Sequence, residues 1–389
     1  MTLHKKIFLI NLLPILLISL NLRAPITSVG PVVDLIKDYY HLSAAQAGLL
    51  TSLPLFAFGI VSFIVAIFQP TRAMLFGLLC ISIGEIIRCI GGSIELFIGT
   101  AIMGSGIAVA NVLLPSFVKA KFPRDVPKIM GIYSLVINIS ATLGIAAILP
   151  LIHLMSVPIA MGCWIILAIM AILSYLPQIK NHRISRKKVK IHLKGTLWTN
   201  LSAWNISLFM GFTSTIAYSF FTWYPSFIIS FGYSQTFASN IMILAQMIVI
   251  PASFLAPLML GSLTHKQKGI FIGAICGLYI LSFSLLLYTH NLWVIVLVSI
   301  LIGIPVGGVF GIALLFISNK SANVQIATKL SAMAQGIGYL LASLGPVLIG
   351  RFYDLYQNFT YSLIALLFLS VILNVIGFLA YKSPQIQSS

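Results

Sequence analysis

The motif Asn21-Leu22-Arg23-Ala24-Pro25 sets a guanidinium beside a proline inside an otherwise apolar run, Ile7–Val33. A charge at such a place is costly, turns toward an interior or a water-filled space, and usually has a task. Pro25 has no N–H, so it removes one helical hydrogen bond and frees a carbonyl near position 21. Broken backbone in an apolar layer persists only where protein or a water-lined cavity satisfies it. The chemistry on offer is capture of an anionic or polar group, and no acid in the neighbouring positions neutralises the charge. Arg23 is therefore the first candidate binding residue. Glu85 and Arg88 form a second pattern. Their i, i+3 spacing lets them pair on one helix face. Such a pair near the end of a span reads as a structural tie, with gating or proton coupling as the functional reading. Should the pair open, Glu85 is the one carboxylate within the apolar runs that could carry a proton.

Polar side chains inside the other runs complete the candidates for ligand contact: Asn111, four residues before Pro115, then Asn138, Tyr218, Gln335 and Tyr339. Each either touches a ligand or bridges helices, a contact worth about 1 kcal/mol. Trp223 and Tyr224, just before Pro225, read either as site lining or as part of an interfacial aromatic belt. No H-E-x-x-H, C-x-x-C or strand-linked glycine loop occurs. The four cysteines lie within apolar runs, as small hydrophobes. No metal or cofactor is expected. An enzyme would need a nucleophile–base pair, a metal cluster or paired carboxylates, and the sequence offers none of them.

The elements that must hold these residues are helices of membrane-crossing length. Apolar spans fall near 7–33, 43–67, 71–92, 95–118, 127–150, 156–177, 201–230, 237–263, 267–289, 291–317, 325–350 and 358–381. About 20 residues cross a bilayer core as helix. A chain 59% hydrophobic and 7% charged is no soluble globule. The net charge of +17 sits in short loops flanking the spans, which is orientation and anionic-lipid chemistry and not nucleic-acid binding. With the N-terminus in the cytoplasm, nineteen of the 23 Lys and Arg residues fall inside, Lys37 and Arg351 outside, and Arg23 and Arg88 within the membrane. The positive-inside rule then places both termini in the cytoplasm of a multi-pass inner (plasma) membrane protein. Lys5 and Lys6 before an apolar run imitate a signal peptide. No small-x-small cleavage pattern follows, so the run is read as an uncleaved first span.

The basic stretch 178–200 divides the chain into an N-terminal bundle, 1–177, and a C-terminal bundle, 201–389, of six spans each. Span 5 aligns with span 11 at an offset of 201, which puts Lys128 on Lys329, Leu143-Gly144 on Leu344-Gly345 and Asn138 on Tyr339. Gly104 falls on Gly303 and Pro25 on Pro225 at nearly the same offset. Ser43 and Ser234 open spans 2 and 8 and suit helix N-caps. Corresponding spans point the same way, which is a parallel repeat about the membrane normal. The fold class expected is all-α and polytopic, with twelve transmembrane helices in two pseudo-symmetric bundles.

Several segments carry a family resemblance. They are Leu22-Arg23 with Thr27 to Pro31, Gln46-Ala47-Gly48-Leu49-Leu50-Thr51-Ser52-Leu53-Pro54, Ile87-Arg88 and Asn111-Val112-Leu113-Leu114-Pro115. Phe122-Pro123, Gly131-Ile132-Tyr133-Ser134-Leu135 and the run Ser331 to Ala342 continue it. With these the chain resembles the cyanate and 2-nitroimidazole porter branch of the major facilitator superfamily, over nearly its whole length. The loop at Gln69-Pro70-Thr71-Arg72 lacks the acid of the usual facilitator signature, which tells against the usual gating ion pairs. The resemblance implies alternating access and a small, often anionic or polar substrate. Arg23 would supply a positive site, with Asn111, Asn138, Tyr218, Gln335 and Tyr339 around it. Export of planar nitro-heterocycles is the alternative, and a non-transporting membrane sensor a remote one. The partners expected are a small solute, protons if Glu85 takes part, and membrane lipids, with the protein a monomer.

Overall fold

A computed structural model describes residues 3–65, 70–122, 126–181, 197–322 and 324–386. Most of the basic stretch 178–200 therefore lies outside the described residues, as do Gln69 and Pro123. The described chain is helical apart from one isolated parallel bridge between Ser321 and Ile386. The first apolar span is broken. It comprises α1 (Leu3–Asn21), α2 (Ala24–Thr27), a single 3-10 turn (Gly30–Val32) and α3 (Val33–Tyr40). Then come α4 (Ala44–Ile64), α5 (Pro70–Arg88), α6 (Ser93–Lys121) and α7 (Val126–Leu154). The sixth span is also broken, at Cys163-Trp164, into α8 (Val157–Gly162) and α9 (Ile165–Asn181). The remaining spans are single helices: α10 (Leu201–Ser230), α11 (Gln235–Ser262), α12 (His265–Tyr288), α13 (Leu292–Asn319), α14 (Val324–Tyr356) and α15 (Thr360–Lys382).

Among the described residues, eleven spans are long and apolar enough to cross a membrane. The twelfth expected span, α10, has the length without the uniform apolarity. Its interior carries Ser207, Thr213, Ser214, Thr215, Ser219, Thr222 and Ser226, all buried. Their burial encloses this helix among its neighbours and not in lipid.

The chain divides into two compact units. The first is Met1–His41 with Leu53–Val189, and the second is Leu42–Ser52 with Lys190–Ser389. Helix α4 thus begins in the second unit and continues in the first. Within the first unit α5 packs along α6, and α1 lies against α7 and α9. The α5–α6 contact is close because Gly84 meets the Gly99 carbonyl and Gly99 meets that of Gly84, so a side chain at either would have to displace backbone. Within the second unit α10 packs on α14, α11 on α13 and α12 on α15. Helix α10 ends where Gly232 takes a left-handed φ of 93°. Tyr233 N–H bonds the Ile228 carbonyl and Gly232 N–H that of Ile229, the bonding pattern of a glycine-terminated helix. After α15 the tail folds onto the end of α13. Lys320 Nζ donates to the Tyr381 carbonyl at 2.7 Å and the Ser383 carbonyl at 2.5 Å, and burial pushes its ammonium below the usual lysine pKa.

Candidate functional site

The break in the first span falls at Leu22-Arg23, between α1 and α2, one residue earlier than Pro25 alone would fix it. Arg23 has φ −129° and ψ −43°, outside helical values, and its carbonyl receives Ile26 N–H at 3.0 Å and Thr27 N–H at 2.9 Å to start α2. Helix α7 supplies the missing bonds. Ser140 Oγ accepts from Ala24 N–H at 2.9 Å and donates to the Leu20 carbonyl. Thr27 Oγ1 contacts both the Arg23 and Ala141 carbonyls, at 3.0 and 3.1 Å. The broken backbone is thus satisfied by protein, as an apolar surrounding requires.

Arg23 is partly exposed and lies within electrostatic range of Tyr133 on α7. The Tyr133 hydroxyl in turn donates to Asn111 Oδ1 on α6 at 3.2 Å. Three elements of the first unit therefore bring a guanidinium, a phenol and an amide into one neighbourhood. Tyr133 was not among the candidates from sequence. Tyr133 lies within Gly131-Ile132-Tyr133-Ser134-Leu135, a run that carries the family resemblance but gave this phenol no role. Its partner is 22 residues away on another helix, which no local spacing reveals. Asn138 lies on the same helix, part-exposed, with its carbonyl accepting from Thr142 Oγ1 at 3.0 Å.

The other three candidates gather in the second unit. The rings of Tyr218 on α10 and Tyr339 on α14 meet edge to face, with centroids 6.5 Å apart and planes at 63°. Gln335, one turn before Tyr339, donates from Nε2 to Ser331 Oγ at 2.8 Å. The candidate ligand residues are therefore placed in two groups, one in each unit. Trp223 and Tyr224 do not form an interfacial belt. Both are fully buried, with Trp223 Nε1 donating to the Pro346 carbonyl at 2.8 Å and Tyr224 OH bonded to Ser299 Oγ at 2.7 Å. They are internal ties of α10 to α14 and α13.

Glu85 and Arg88 pair as their spacing predicts, at 3.3 Å from Arg88 Nη1 to Glu85 Oε1. Their side chains are 0% and 1% exposed. Two sulfurs also meet the guanidinium, Met103 Sδ at 3.3 Å from Nη1 and Met161 Sδ at 3.9 Å from Nη2, while its Nε is buried without a hydrogen-bond partner. The pair joins α5 to α6 and α8 inside the first unit. Among the described residues no group of three or more His, Cys, Asp or Glu side chains is placed to hold a metal ion.

Residues 15–346 match the family model described as Major Facilitator Superfamily. The chain is 32% identical to the 2-nitroimidazole transporter of Escherichia coli (strain K12), covering 96% of this chain and 95% of that one. It is 26% identical to the cyanate transport protein CynX of the same organism, covering 96% and 98%. Among solved structures, a bacterial homologue of the human lysosomal transporter Spinster, inward-facing and occupied, superposes with a TM-score of 0.77. That alignment covers 100% of each chain at 17% identity, so it speaks for the fold alone.

Proposed function

Because the chain belongs to the Major Facilitator Superfamily, in the branch of the 2-nitroimidazole and cyanate transporters, we propose that it carries a small anionic or polar organic solute across the inner membrane by alternating access. It is a multi-pass membrane transporter and not an enzyme. The observation that carries the anionic reading is the placement of Arg23. Its charge sits at a protein-satisfied helix break, beside the hydrogen-bonded Tyr133–Asn111 pair. A preset cation with phenol and amide groups nearby suits a small carboxylate or a linear anion, which needs one charge partner and one or two hydrogen bonds. Glu85 is held by Arg88 and does not cancel that field. Asn138, and Tyr218, Gln335 and Tyr339 of the second unit, are proposed as further contacts. Binding would favour one access state by its differential affinity for it.

The edge-to-face Tyr218–Tyr339 pair favours a second reading, export of planar nitro-heterocycles, in keeping with the relative that transports 2-nitroimidazole. Ligand-dependent stabilisation of purified protein separates the two, since a ligand that binds the folded state raises the apparent melting temperature. Cyanate, formate and 2-nitroimidazole are each titrated against the wild type and Arg23→Gln, with flux in proteoliposomes alongside. The anion reading expects stabilisation by an anion that disappears in Arg23→Gln, together with loss of flux. Stabilisation by 2-nitroimidazole alone, unchanged in the variant, would replace it with the heterocycle reading.

A further inference from the structure

The bond that defines an unbroken helix at Arg23 would run from Ala24 N–H to the Leu20 carbonyl, four residues back. It is replaced by a side chain from another helix. Ser140 Oγ accepts from Ala24 N–H at 2.9 Å and donates to the Leu20 carbonyl, so one hydroxyl bridges the two groups that would otherwise bond each other. Insertion of a side chain into the i→i−4 ladder is a recognised cause of sharp helix kinks. Ser140 is 0% exposed and fixed in the interior of the first unit. Other buried serines stay on their own helix. Ser19, Ser207 and Ser370 each bond the carbonyl four residues back on their own helix, at Ile15, Ala203 and Leu366. Ser140 instead reaches a backbone 116 and 120 positions away in sequence. The two groups it holds apart flank Arg23. A second tie lies one turn on, where Thr27 Oγ1 meets the Ala141 carbonyl at 3.1 Å. Gly144 lets α2 lie directly on α7, since a Cβ there would come within 2.6 Å of the Ala24 carbonyl.

We propose that Ser140 is the positioning residue for Arg23: its inserted hydroxyl holds the helix open at that residue and so sets the direction of the guanidinium. The inference rests on the anion reading above. Ser140→Ala allows Ala24 N–H and the Leu20 carbonyl to bond directly, so the turn at position 23 tightens and the guanidinium turns with it, while Pro25 still bars the next bond, to the Asn21 carbonyl. One bond replaces two, but both backbone groups keep a partner, so the fold should tolerate the change while the site does not.

The test uses purified full-length protein, with cyanate and formate as probes. Wild type, Arg23→Gln, Ser140→Ala, Ser140→Thr and the control Ser207→Ala are compared by anion-dependent stabilisation. Hydrogen exchange over residues 20–27 is measured in parallel. The expected result is a rise of about tenfold or more in the anion concentration for half-maximal stabilisation in Ser140→Ala, as a misaimed contact produces. The melting temperature without ligand should change little, and exchange should slow at the rewound turn. Ser140→Thr, which keeps the hydroxyl, should retain near wild-type affinity. If Ser140→Ala does not accumulate in folded form, Ser140→Cys, of similar size and a weak donor, replaces it in the same comparison.

Loss of anion binding in Arg23→Gln with wild-type binding in Ser140→Ala overturns the positioning role and leaves the anion reading standing. An unfolding temperature that falls in Ser140→Ala in step with its affinity, unrescued by Ser140→Thr, also overturns it, because that is a purely structural role. No effect of Arg23→Gln, or no anion binding by the wild type, removes the anion reading and this inference together.

Discussion

At the residue scale, the chemistry separates into charges legible from spacing and hydrogen bonds that are not. Glu85 and Arg88 were legible because three residues on a helix define one contact, and the pair forms as expected. Arg23 and Pro25 were legible because charge and proline are both costly in an apolar run, and the chain does break there. Tyr133 and Ser140 were not, since each works through a partner 22 to 120 residues away. The depth of the Glu85–Arg88 pair makes a prediction. Removing one partner of a buried pair strands the other and costs about 3–5 kcal/mol, whereas replacing both with apolar groups of similar size is far milder. Glu85→Ala should therefore lower the apparent unfolding temperature of purified protein well below that of the double variant Glu85→Leu with Arg88→Met. A single variant as stable as wild type would mean that the pair is not a structural tie, and would return Glu85 to the proton-carrying reading.

At the element scale, helix starts were easier to read than helix surroundings. Ser43 caps α4 as its type and place suggested. Its Oγ accepts Gln46 N–H at 3.2 Å, and Gln46 Oε1 takes Ser43 N–H at 2.9 Å, which makes a capping box. Ser234 likewise accepts Phe237 N–H at 3.2 Å to start α11. No local pattern could show that the other free amides of α4 are taken from the far end of the chain. Asp354, in the last turn of α14, accepts Ala44 N–H at 2.8 Å and Ala45 N–H at 2.9 Å with its two oxygens. Thr51 and Thr222 hydroxyls bond at 2.9 Å, and Gly48 and Gly350 let the α4 and α14 backbones touch. The same limit explains Trp223 and Tyr224, whose amphipathic rings suggest a membrane interface until α13 and α14 are seen around them. Carboxylate bonds to a helix N-terminus are charge-assisted and favoured by the helix dipole. Asp354→Ala should then cost about 1–2 kcal/mol, in the range of a lost cap. Hydrogen exchange should rise first at residues 43–52, and Asp354→Asn, keeping one acceptor, should fall between. Unchanged exchange in that segment for both variants would show that the carboxylate does not hold α4.

At the scale of the whole molecule, twelve spans and their family could be read because apolar length and charge are written locally, whereas the breaks at Leu22-Arg23 and Cys163-Trp164 depend on what packs beside them. The passage of α4 from one unit to the other at Ser52 was not legible, because it follows from contacts such as those of Asp354. Orientation rests on a different physical ground, the asymmetry of lysine and arginine in the loops. It can be checked across a single helix. Helix α12 has 24 residues, so it is about 36 Å long and exceeds the roughly 30 Å hydrocarbon core. The first turn of the helix, with Lys266, and the loop after it, with Asn291, must then lie on opposite faces, and both residues are exposed. In a background with Cys80, Cys89, Cys163 and Cys276 replaced, a membrane-impermeant maleimide applied to intact cells should label Asn291→Cys and spare Lys266→Cys until the cells are opened. The basic loop is the one that resists translocation, since each cation near the anionic cytoplasmic leaflet gains about 1 kcal/mol there. Labelling of Lys266→Cys in intact cells, with Asn291→Cys protected, would invert the orientation and place the seven cations of the 178–200 stretch outside, against the positive-inside rule.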